Sequence, residues 1–116
     1  MLIKKEEFSI FRKKIWISRI GYSSDYLDVW KTIKYSSIKQ SEETFKMQLK
    51  SNSLYDKLYA LVGLKAICYQ DFECECKKVS KLKDQVSVVI LSGRSISIPI
   101  SKAVDLIVCS DLKNPY

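Results

Sequence analysis

The stretch Leu54–Ile67 constrains this chain more than any other. It spreads Leu54, Leu58, Leu61, Val62, Leu64 and Ile67 around nearly the whole circumference of a helix. A helix that is apolar on most sides belongs in the middle of a domain, so the rest of the chain must wrap it. Ser53 stands where an N-cap is needed, and Asp56 three residues later resembles the capping-box pattern. Gly63 lies inside the helix and costs about 1 kcal/mol against alanine. Close contact with a neighbouring helix is the expected compensation.

Other segments supply the wrapping. Phe8, Phe11 and Ile15 fall at helical spacing with Gly21 at the expected C-cap, although the isoleucine and aromatic content of 8–20 also suits a strand. Ser24 and Asp25 open a second helix to about Ser36, with Tyr26, Val29, Trp30 and Ile33 on its buried face. A short third helix is predicted from Ser41, with Glu42 and Glu43 in its first turn and Phe45 and Leu49 as anchors. After the central helix, Asp71 can cap a further one to about Lys83, with Phe72, Cys76 and Val79 on its apolar stripe. The short connection between these two predicts an antiparallel helical hairpin.

The pattern then changes. Val86–Leu91 is β-branched and compact, Ser92-Gly93-Arg94 reads as a turn, and Ser95-Ile96-Ser97-Ile98 alternates. This is a β-hairpin signature, with Ile96 and Ile98 on the inner face. Pro99 fits the first turn of a closing helix carrying Ala103, Val104, Leu106 and Ile107, and the polar tail from Asp111 is expected to fray. A chain of 116 residues is the size of one domain. The expectation is therefore a single, mainly α domain: a compact bundle of about five to six helices with a short β-hairpin near residues 86–98.

Composition narrows the function classes. No apolar run approaches the roughly 18 residues of a membrane span. The basic and acidic residues of the amino-terminal stretch interrupt any signal-peptide core, so a cytoplasmic location and no membrane partner are expected. The four cysteines are few for a disulfide scaffold. Cys68 and Cys109 read as small buried hydrophobes. Net charge is +7, with eleven Lys/Arg against six Asp/Glu in residues 1–50. A lysine-rich solvated surface is the plain explanation; an acidic protein or nucleic-acid partner is the functional one.

Reactive chemistry is sparse. Histidine is absent, which removes the commonest general base and metal ligand. Cys74 and Cys76 are two apart, pointing about 200° apart on a helix, so they cannot share one ion there. No metal, cofactor or catalytic residue is therefore expected, and the chain does not read as an enzyme. Asp71, Glu73 and Glu75 form an acidic cluster that serves a helix N-terminus and could also meet a basic partner. Ser92-Gly93-Arg94-Ser95 lacks the following helix of a phosphate loop, which leaves a hairpin turn with Arg94 at its tip. Arg12-Lys13-Lys14 with Trp16 and Arg19 interleaves basic and aromatic residues, as in single-strand nucleic-acid binders, but carries no recognised module signature.

Leu58-Tyr59-Ala60-Leu61-Val62-Gly63-Leu64, then Phe72, Val86-Ser87 and Ser92-Gly93, resembles a helix-pair-plus-glycine-turn segment of small bacterial proteins over residues 54–108. In those a cysteine often follows the glycine, where this chain has Arg94. The short, histidine-free profile is similar to immunity proteins of contact-dependent growth inhibition and other polymorphic toxin systems. The resemblance implies a stoichiometric inhibitor that binds one cognate toxin domain, often a nuclease, and blocks its active site. Asp71, Glu73, Glu75 and Arg94 are then the candidate contacts. The alternative expectation is a small basic nucleic-acid-binding regulator.

Overall fold

The computed structural model describes residues 24–89 and 95–110, together with Leu112 and Asn114. The amino-terminal segment 8–20 with Gly21, its basic–aromatic run, and the Ser92-Gly93-Arg94 turn lie outside the described residues. Within them, five helices and one two-stranded antiparallel hairpin follow in the order α1 (Ser24–Tyr35), α2 (Ile38–Gln48), α3 (Leu54–Ala66), α4 (Phe72–Ser80), β1 (Gln85–Val89), β2 (Ser95–Pro99) and α5 (Ile100–Cys109). The mainly helical architecture with its hairpin matches the pattern of the sequence.

α3 is the central element. Leu58, Ala60, Leu61, Val62 and Leu64 are fully buried, and the helix packs against α1, α2, α4 and α5. Ser53 caps it, its hydroxyl accepting from the Asp56 amide at 3.4 Å. The Asp56 carboxylate accepts from the Ser51 hydroxyl at 2.7 Å, and that hydroxyl in turn accepts from the Ser53 amide. Gly63 marks the close approach expected of it: a Cβ there would stand 2.5 Å from the ring of Phe45, which α2 presses into the gap.

α1 buries Tyr26, Val29 and Trp30, with the Tyr26 and Trp30 rings edge to face at 6.3 Å. The Trp30 indole N–H has no hydrogen-bond partner among the described residues.

The start of α2 differs from the expectation. Ser37, not Ser41, is the N-cap; it forms a full capping box with Gln40, each side chain accepting from the other residue's amide. That reciprocal pair satisfies two orphan donors at once, which Ser41 could not do. Ser41 instead sits inside the helix, buried, donating its hydroxyl to the Thr32 carbonyl of α1 at 3.4 Å. Glu42 and Glu43 therefore fall beyond the first turn.

α3 ends in a Schellman motif: the Tyr69 amide donates to the Leu64 carbonyl and the Cys68 amide to that of Lys65. Cys68 occupies the left-handed position of this motif, at φ 57°. It is exposed, as is Cys109 at the end of α5, so neither is the buried hydrophobe that the sequence suggested. Both stand at helix ends, where cap geometry and not side-chain polarity decides exposure. Cys76 is the buried thiol.

α4 stops at Ser80, three residues short of the expected end, because Val79 is its last core contact and Asp84 is already engaged in the hairpin. The Ile100 amide donates to the Asp84 carbonyl at 3.0 Å. In the hairpin, Val86 faces Ile98, Ser87 faces Ser97 and Val88 faces Ile96. Val86 and Val88 are buried, Ile98 is half-buried against the core, and Ile96 stays 39% exposed at the far end of the same face. Pro99 closes β2 and is the N-cap of α5, one position before the expected first turn. Leu112, in the tail expected to fray, packs against the core.

Candidate partner-binding surface

The acidic cluster lies at the start of α4. Asp71 and Glu73 are exposed and Glu75 is half-buried. Asp71 makes no side-chain cap bond; its contribution is backbone, its carbonyl accepting from the Glu75 amide at 3.1 Å. Its φ of −99° and ψ of 24° depart from the extended geometry that aims a cap side chain at the helix amides. Glu75 pairs with Lys78 one turn on at 3.8 Å. Lys77 and Lys78 fill the last turn, so charge runs from negative to positive along α4 and complements the helix dipole at both ends.

Cys76 reports on the surroundings of this acidic end. Its thiol is pushed up from 9.0 to about 11, first by burial, then by Glu73, with Glu75 and Asp105 adding to the effect and Lys65 opposing it. Coulomb effects fall off with distance. Glu73 and Glu75, two apart on α4, leave the helix on different sides, while Asp105 lies on α5, which packs against α4. Asp105 is exposed and places a carboxylate on the helix that packs against α4. No local pattern could have joined Asp105 to Glu73; the α4–α5 packing does. With a thiol held this high, Cys76 is overwhelmingly neutral near pH 7 and is a poor nucleophile.

Lys65 is a second residue that the sequence did not mark. Its ammonium donates to the carbonyls of Ile107 at 2.8 Å, Val108 at 2.9 Å and Ser110, satisfying the carboxyl-terminal end of α5. This ties α5, and with it Asp105, to the central helix.

Cys74 and Cys76 point apart, one exposed and one buried. Among the described residues, no group of three or more His, Cys, Asp or Glu is gathered where it could hold a metal ion. No helix described is long and apolar enough to cross a membrane. Arg94, the fourth candidate contact, lies outside the described residues.

No protein-family model, curated protein or solved structure matches this chain. The functional reading therefore rests on its own surface.

Among the described residues, the most exposed large apolar side chains are Tyr35, Met47 and Ile38, at 76%, 73% and 72%. Tyr35 ends α1 and Ile38 begins α2, so two of them share one corner. The Lys34 ammonium stands over the Tyr35 ring at 5.4 Å from its centroid. Exposed aromatic and aliphatic side chains on a rigid helical frame are the residue types that anchor protein interfaces.

Proposed function

We propose that this chain is a stoichiometric protein-binding inhibitor, an immunity protein that neutralises a cognate bacterial toxin domain by covering its active site. The carboxylates of Asp71, Glu73 and Glu75 at the start of α4, with exposed Asp105 on the neighbouring α5, carry the reading, since negative charge on two packed helices suits a basic surface. Nuclease domains present such a surface to nucleic acid, so an acidic face can occupy it. A local face of this sign overrides the chain's net charge of +7 at the short range of an interface. Arg94 and the apolar corner of Tyr35 and Ile38 are further contacts.

The test is capture on the tagged full chain, with protein and nucleic acid both quantified. The proposal expects one protein near equimolar ratio, held through a wash of roughly 0.5 M salt, where exposed charge pairs alone are screened. A preparation that instead carries random-sequence nucleic acid, released steeply by salt, would reject it. The exposed corner of Lys34, Tyr35 and Lys39 favours that second reading, a nucleic-acid-binding regulator, because basic and aromatic side chains stand together there.

A further inference from the structure

The outward side of α4 is built from lysine. Lys77, Lys81 and Lys78 fall within about a 100° arc of the helix, while Cys76 and Val79 turn the opposite side to the core. All three lysines are exposed, as are Lys83 and Lys102. The bond from the Ile100 amide to the Asp84 carbonyl brings the first turn of α5, and Lys102 with it, next to the segment that carries Lys83. Between residues 76 and 84 the one carboxylate is Asp84, against four lysines. Lys78 reaches Glu75 at 3.8 Å, but its side chain is 71% exposed and such a pair is weak. Among the described residues, Lys77, Lys81 and Lys83 have no ion pair.

The segments outside the described residues do not supply the missing countercharge. Residues 1–23 hold six Lys/Arg against two Asp/Glu, residues 90–94 hold Arg94 and no carboxylate, and Asp111 is matched by Lys113. The whole chain stands at +7, so a second copy is repelled and the complement of this face is an anion from outside the chain. The residue types then choose among anions. No aromatic side chain lies between residues 76 and 84, so unpaired bases have nothing to stack on. Leu82, at 37%, is the one exposed large apolar side chain there, too little to anchor in a lipid layer. Protein interfaces deplete lysine and use aromatic and arginine anchors, and this face has neither. What it offers is a row of flexible point charges, suited to phosphates that demand no fixed orientation.

We infer that the lysine face of α4 binds double-helical nucleic acid through its phosphates, without sequence preference, with Lys83 and Lys102 at its margin. The inference stands apart from the inhibitor reading, which rests on carboxylates, and from single-strand binding at Lys34, Tyr35 and Lys39. Affinity of this kind is about micromolar or weaker at physiological salt, so a wash of roughly 0.5 M salt removes the duplex.

Fluorescence anisotropy tests it, with a labelled random-sequence DNA duplex of about 20 base pairs titrated with the purified full chain at roughly 50 to 200 mM salt. Four phosphate contacts predict a slope of log affinity against log salt of about −3.6. Lys77→Gln, Lys78→Gln and Lys81→Gln together should reduce that slope to about −0.9 and lower the affinity at least tenfold at roughly 0.1 M salt. Lys31→Gln, Lys34→Gln and Lys39→Gln, an equal change of net charge on α1 and α2, should cost threefold or less. A readout that needs no variant is amine acetylation followed by mass spectrometry: the duplex should shield Lys77, Lys78 and Lys81 but not Lys39. No binding at the lowest salt overturns the inference, as do equal losses in the two triple variants or equal acetylation with and without duplex. Tighter binding to the single strand, or to phosphatidylserine vesicles, than to the duplex overturns it in favour of a different anion.

Discussion

Gly63 and Phe45 show how tightly individual residues are set. Gly63→Ala gains about 1 kcal/mol of helix propensity but drives a methyl into the buried Phe45 ring. Overpacking of that kind costs about 1–3 kcal/mol, so urea denaturation should show a net loss, smaller when Phe45→Leu is combined with it. Cys68→Gly should act in the opposite sense. A non-glycine residue in the left-handed position at φ 57° is strained, and glycine there should raise stability by about 0.5–1 kcal/mol. Cys76 gives a pH signature. Its folded pKa of about 11 lies above the ordinary 9.0, so the fold favours the protonated thiol. That contribution is complete below pH 9 and is lost as pH rises from 9 towards 11. Cys76→Ala should flatten the decline in melting temperature across that window, and alkylation near pH 8 should label Cys68, Cys74 and Cys109 well before Cys76.

At the scale of elements, capping separates residues that the sequence treats alike. Ser37→Ala removes a capping box and should lower stability by about 1 kcal/mol, whereas Asp71→Ala, which loses no side-chain cap bond, should change it by less than about 0.5 kcal/mol. Equal losses in thermal melts would contradict both assignments. The contrast also shows what was legible in advance. The central helix, its Ser53 cap and the close contact at Gly63 follow from an apolar pattern complete within one segment, and so does the hairpin. The start of α2 was misplaced because Ser41 and Ser37 are both plausible caps, and only Gln40 decides between them. The end of α4 was set too late because the stop comes from the hairpin's claim on Asp84, not from α4 itself. Lys65 and Asp105 were invisible because their roles depend on α5 returning to α3 and α4 from far along the chain. Of the four candidate contacts, Asp71, Glu73 and Glu75 lie at the start of α4 and Arg94 lies outside the described residues, while Asp105 comes to the neighbourhood of α4 only through tertiary packing.

For the whole molecule, the proposed function resides in surface charge carried on a rigid helical frame around α3. Under the proposed function Glu73, Glu75 and Asp105 are the charges to test, and neutral isosteres leave the frame intact because none of the three is buried in the core. The most direct measurement is quantitative capture of the protein partner by the wild type and by the triple variant Glu73→Gln, Glu75→Gln, Asp105→Asn, with both chains shown to be equally folded. The account expects a near-equimolar protein partner on the wild type and at least a tenfold loss on the variant. Undiminished capture by the variant, or a wild type that retains nucleic acid and no protein, would contradict it.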